Sequence, residues 1–254
     1  MTRLLPVLAL VALLVGCDSN GPSGTPDVIA PAAFAVDLDA FPEANARVAA
    51  GPHFINAAAR VGIVSTVVGL HLVVPEAATR AATQVDPVAG EDGETFVWEN
   101  TVDVLGDDIE IRLLAGASDS RVDWTLTAEN TSSDDGSGSF TYYTASTSFD
   151  GKEGTWRLFS PSVEGAVLTA AFEVDDTPEI TFAVPEGRPE AGASVRYESD
   201  GTMRTFDFVG ANGGRTLVEW DAETRAGFIE ADGYNGGARA CWSAGLDNVA
   251  CEGV

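Results

Sequence analysis

The chain has 254 residues, and its 14 Lys and Arg against 39 Asp and Glu give a formal net charge of -25. That surface excludes nucleic acid as a partner, since a phosphate backbone is gripped by clustered cations. The length suffices for one large β domain or two small ones.

The first element is Met1 to Cys17: a cationic start at Arg3, an apolar run from Leu4 to Val15, then Gly16-Cys17. The run is too short to cross a bilayer as a helix and suits the apolar region of an export signal. Leu14-Val15-Gly16-Cys17 resembles the lipobox of bacterial lipoproteins, at the expected distance behind that apolar run. The resemblance implies cleavage before Cys17 and a diacylglyceryl group on its sulfur. An ordinary secretory signal leaving Cys17 as a free thiol is the alternative. Each buried methylene contributes about 0.8 kcal/mol, so two or more acyl chains hold a protein to a membrane where one does not. The implied location is the cell envelope, anchored to the inner or outer membrane, with the outer preferred. The implied partners are the membrane, through Cys17, and an envelope protein or lipid ligand.

Lys152 is the only lysine. Acidic excess with almost no lysine resembles proteins of salt-loving organisms, in which salt screens self-repulsion. With Cys17 taken by lipid, Cys241 and Cys251 remain close together near the C-terminus, and an oxidising compartment favours a disulfide between them. A metal site there lacks a nearby histidine.

Residues 17–33 read as a tether, rich in Ser, Gly and Pro through Ser19 to Pro26. Residues 34–254 read as one β-rich domain with a helical segment at 42–84. Gly51-Pro52 reads as the end of a first helix. Ala57, Val61, Val64, Val68 and Leu72 then recur at three- and four-residue steps, and Pro75-Glu76 opens a short later segment. The β-branched run Val61 to Val74 also suits a strand, and Ile55 to Val74 is long enough to raise a membrane span. A buried helix is preferred, because Arg60 and His71 interrupt the span.

Beyond Gly93 the pattern is of short strands. Val122, Trp124, Leu126 and Ala128 alternate with Asp123, Thr125 and Thr127, and the same alternation joins Trp156 with Leu158, Ile180 with Phe182 and Val184, and Val195 with Tyr197. Turn signals fall at Gly106 to Asp108, Ser133 to Gly136, Phe149 to Gly151, Asp175-Asp176, Glu186-Gly187, Ser199 to Gly201, Asn212 to Gly214 and Asp232-Gly233. The expectation is a mainly β (α+β) fold: an antiparallel meander of about ten strands, curved into a half-barrel and covered by the helical segment. Trp98, Trp124, Trp156, Trp220 and Trp242 fit its core better than a ligand platform. Phe140 to Phe149 reads as an edge strand or contact surface.

No catalytic motif is present. His53 and His71 lie about 27 Å apart if they share a helix, and neither HExxH nor GxSxG occurs. Asp134-Asp135 and Asp175-Asp176 lack the spacing of a calcium loop. No catalytic residue, metal ligand or cofactor is therefore assigned. The C-terminal Gly233 to Gly237, Cys241-Trp242 and Cys251 are similar to the endings of β-rich envelope lipoproteins of uncharacterised role. The expected architecture is similar to periplasmic lipoprotein carriers and lipid-binding half-barrels. Three functions follow as expectations: a lipid-anchored accessory or interaction protein, a binder of lipid or another apolar ligand between helix and sheet, and a carboxylate-dependent hydrolase.

Overall fold

A computed structural model describes residues 24–28, 50–104, 106–118, 120–131, 138–175 and 177–252. Cys17 and residues 29–49 lie outside the described residues, as does the Ser133 to Gly136 turn. Among the described residues one α-helix, α1, spans Pro52–Ala82, 31 residues. Gly51 is its N-cap, and Pro52, which has no N–H to leave unpaired, occupies the first turn. Gly51-Pro52 therefore starts this helix. Pro75 lies inside it, where the sequence suggests a new segment.

An interior proline costs about 3 kcal/mol through its lost hydrogen bond and ring clash. Burial offsets that cost here. Leu72, Pro75, Ala78, Thr79 and Ala82 form one continuous buried face. The Thr79 hydroxyl also donates to the Pro75 carbonyl at 2.8 Å. Val61 to Val74 is helical throughout.

Among the described residues fourteen strands follow in one antiparallel sheet, ordered as in the chain. They are β1 (Val88–Ala89), β2 (Thr95–Val104), β3 (Asp107–Ala117), β4 (Arg121–Asn130), β5 (Phe140–Ser148), β6 (Glu153–Ser160) and β7 (Val163–Glu173). The second half comprises β8 (Glu179–Ala183), β9 (Ser194–Asp200), β10 (Met203–Val209), β11 (Arg215–Asp221), β12 (Gly227–Ala231), β13 (Ala240–Trp242) and β14 (Asn248–Val249). The sheet does not close on itself: β1 and β14 are its two edges. Setting aside the two- and three-residue strands β1, β13 and β14 leaves eleven, close to the expected ten. The β5 strand is interior, between β4 and β6, which corrects the edge reading of Phe140 to Phe149.

Register explains how the sheet packs so densely. Ala115, Trp124, Ala145, Trp156, Ala170 and Phe182 stand opposite one another in turn across β3 to β8. Small and large side chains thus alternate along one row of the inner face, so each large ring stands between small neighbours. All five tryptophans are buried. The Trp124 indole donates to the Thr147 hydroxyl at 3.0 Å, and the Trp242 indole to the Arg225 carbonyl at 2.6 Å. Gly227 is required where Trp242 crosses β12: a Cβ there would lie 2.6 Å from Cζ2 of Trp242.

Cys241 and Cys251 form a disulfide, tying β13 to the residues just beyond β14. Among the described residues each ion pair has at least one exposed partner, the best formed being the two-pronged Arg215–Asp207 contact at 2.7 and 2.8 Å. Exposed pairs contribute roughly 0–1 kcal/mol each, so they do not offset a net charge of -25. Raising salt from 0.1 M to 1 M shortens the Debye length from about 10 to about 3 Å. The melting temperature is accordingly expected to rise over that range by calorimetry; a flat or falling response would contradict a repulsive surface.

Candidate functional site

Helix α1 is tied to the sheet by polar contacts near each end. At its start, Gly51 N–H donates to the Leu246 carbonyl (2.8 Å) and His53 N–H to Asn248 Oδ1 (3.1 Å). The His53 ring shares a 2.7 Å hydrogen bond with the Tyr234 hydroxyl, and Arg60 donates to the Thr216 hydroxyl at 3.3 Å. Burial raises the Tyr234 phenol above its ordinary range, with Arg60 working weakly against it. At its end, Thr79 bonds the Tyr143 hydroxyl (3.1 Å), and Asn100 donates to the Ala81 carbonyl (2.8 Å). Burial pushes the Tyr143 phenol far up, so it stays protonated.

Between these ties the helix crosses the sheet as a chord crosses an arc. It touches β11 to β14 on one side and β2 to β5 on the other. Against the middle strands a gap of about 260 Å³ remains. Its helix wall is Ile63, Val64, Val67 and Val68, and its floor includes Leu168, Phe182, Val195 and Phe208. Phe182, Val195 and Phe208 come from β8, β9 and β10 and stand in register. The β8–β9 loop forms the outer wall, with Glu190 and Ser194 as polar groups in the lining. Arg188 pins that loop, donating to the Ala166 carbonyl at 2.8 Å and to the Glu164 carbonyl.

An open recess so poor in polar groups can hold an apolar ligand by burial and little else. Its volume lies just below the roughly 300 Å³ at which small-molecule sites begin, which suits part of a chain more than a bulky ring system. A second recess, about 470 Å³, lies between residues 25–28 and Glu76, Thr79, Arg80, Thr83 and Trp98. Pro26 is buried there, and Val28 packs on the core.

The polar chemistry is sparse. Among the described residues the buried polar side chains are Thr79, Thr147 and Thr216, and no carboxylate is buried. No group of three or more His, Cys, Asp or Glu is placed among them to hold a metal ion. His53 and His71 both lie on α1, 18 residues apart, with His71 bonded to the Val67 carbonyl within its own helix. Asp175 caps a turn by accepting from the Thr177 N–H at 2.8 Å, while Asp134, Asp135 and Asp176 are outside the described residues.

Cleft residues such as Leu168 and Phe208 carry no motif. The sequence signal that does mark the site is the stretch 61–75, which contains no Asp, Glu, Lys or Arg. A helix whose function ended at covering a sheet would carry charge on its outer side.

Fold and site together define an open antiparallel sheet curled against one helix, with an apolar recess between them. No protein-family model matches the chain, and no curated protein matches it. Among solved structures, intact Ap-TbpB with its N and C lobes is 11% identical over 48% of this chain and 38% of that one, with a TM-score of 0.15. A likeness at that level carries no argument about this protein.

Proposed function

We propose that the protein is an envelope lipoprotein, anchored through Cys17, that holds an apolar chain in the cleft between α1 and β7–β10. The cleft carries the reading: its walls are aliphatic and aromatic, it opens to the surface, and it lies where helix and sheet part. The anchor rests on the Met1 to Cys17 signal, and the Cys241–Cys251 disulfide fits an oxidising compartment outside the cytoplasm. An accessory role in the envelope fits the same placement, and the cleft gives that role a chemistry. The protein acts by binding, without catalysis.

Two experiments test the two halves of this reading. Cys17→Ala is expected to abolish palmitate labelling and to weaken the protein's retention in the membrane fraction; palmitate labelling that persists in the variant would sink the anchor. Val64 is half-buried and lines the cleft from the helix side. Val64→Phe places a ring in open space, so the cost should stay at or below the low end of the roughly 1–3 kcal/mol that overpacking a filled core incurs. Binding of a fluorescent fatty acid should be lost in the same variant. Equal binding by variant and parent would place the ligand elsewhere.

A further inference from the structure

The outer side of α1 has no partner within the described residues. Ile63, Val67, Leu70 and Val74 follow one another at steps of four, three and four, and so share one line along the helix. They are 66%, 52%, 69% and 50% exposed, and Val73 beside them is also exposed. Only 28% of the most apolar 18-residue window of α1 is buried. The polar ties described above hold the helix to the sheet at both ends, so this face cannot turn inward. From Ile63 to Val74 it runs about 16 Å at 1.5 Å per residue.

We propose that this face lies on the surface of a zwitterionic phospholipid bilayer, as a second membrane contact beside the Cys17 anchor. The proposal rests on the anchored reading above and deepens it. The N-terminal segment meets α1 close to this row. Thr25 to Val28 lie beside Glu76, Thr79, Arg80 and Thr83, in the second half of α1. Cys17 is seven residues before Gly24, and seven extended residues reach at most about 25 Å. The bilayer that takes the acyl chains is therefore close to the apolar row.

A net charge of -25 repels both a second copy and an anionic lipid surface, whereas a zwitterionic surface carries no net charge to oppose contact. A row of four side chains on one helix also falls short of the roughly 1,200 Å² that a stable dimer buries. Apolar residues set into the boundary between headgroups and acyl chains gain by burial in the ordinary way. Ile63 and Val67 belong both to this row and to the cleft wall. The mouth of the cleft thus opens toward lipid, and an acyl chain enters without crossing water.

The test uses the lipidated full chain in phosphatidylcholine vesicles. Leu70→Cys carries an environment-sensitive fluorophore, and Asp123→Cys, exposed on the outer face of β4, serves as the control. A lipid-borne nitroxide is expected to quench position 70 several-fold more than position 123, with Ile63→Cys giving the same result should Leu70→Cys fold poorly. Equal quenching at the two positions would overturn the proposal. So would cross-linking of position 70 between two copies, or shielding of position 70 from both the nitroxide and aqueous iodide, which would mean cover by protein. Palmitate labelling scores the anchor separately. A chain without lipid that is still quenched at position 70 sinks the anchor and keeps the face; a lipidated chain that is not quenched there does the reverse.

Discussion

Trp242→Ala is expected to destabilise the protein by about 3–5 kcal/mol, read as a shift of the denaturant midpoint at unchanged slope. Trp242 is fully buried in β13 and meets Phe54 of α1 edge to face, with ring centroids 5.7 Å apart. Its indole N–H satisfies the Arg225 carbonyl at 2.6 Å, in a turn where Arg225 itself holds a positive φ of 68°. Gly227 lies flat against the ring. Truncation leaves a cavity that neither a glycine nor a helix fixed by its own ties can fill, and it orphans a carbonyl. At 2–4 °C per kcal/mol for a domain of this size, the melting temperature should fall by roughly 6–20 °C. A loss below about 1 kcal/mol would mean that the ring is not the joint between helix and sheet described here.

Removing the disulfide with Cys241→Ala and Cys251→Ser should cost up to about 3 kcal/mol by the chain-entropy account of a loop with a sequence separation of 10. Alanine suits position 241 because that side is buried, and serine suits the more open position 251. The effect should not stay local. The β13–β14 hairpin supplies Leu246 and Asn248 to the start of α1, so amide exchange at Gly51 to Ile55 should quicken with that of β14. Faster exchange confined to the last residues would show that the hairpin does not hold the helix.

Much of the fold was legible because its signals are local. Gly106, Gly151, Gly187, Gly201, Gly213 and Gly233 all adopt positive φ at places where the turn residues cluster, and alternation assigns Trp124, Trp156, Phe182 and Val195 to the inner face. Three features were not legible. The short strands β1, β13 and β14 are too brief for alternation to register. Proline punctuation misleads at Pro75, since the burial that keeps the helix intact comes from packing on the sheet, which local sequence does not show. The cleft depends on where the helix parts from the sheet, which is a property of the whole arc and of no single segment. The three- and four-residue steps through Val61, Val68 and Leu72 mark the sheet side of the uncharged stretch 61–75 in the sequence, while the exposure of its outer side (Ile63, Val67, Leu70) shows only in the structure.

The most direct measurement is native mass spectrometry of the protein extracted from its own membrane, parent beside Val64→Phe. The account predicts a bound lipid or fatty acid on the parent, in addition to the mass of the lipidated Cys17, and none on the variant. A parent that emerges with no bound apolar species, or a variant that retains the same one, would contradict it.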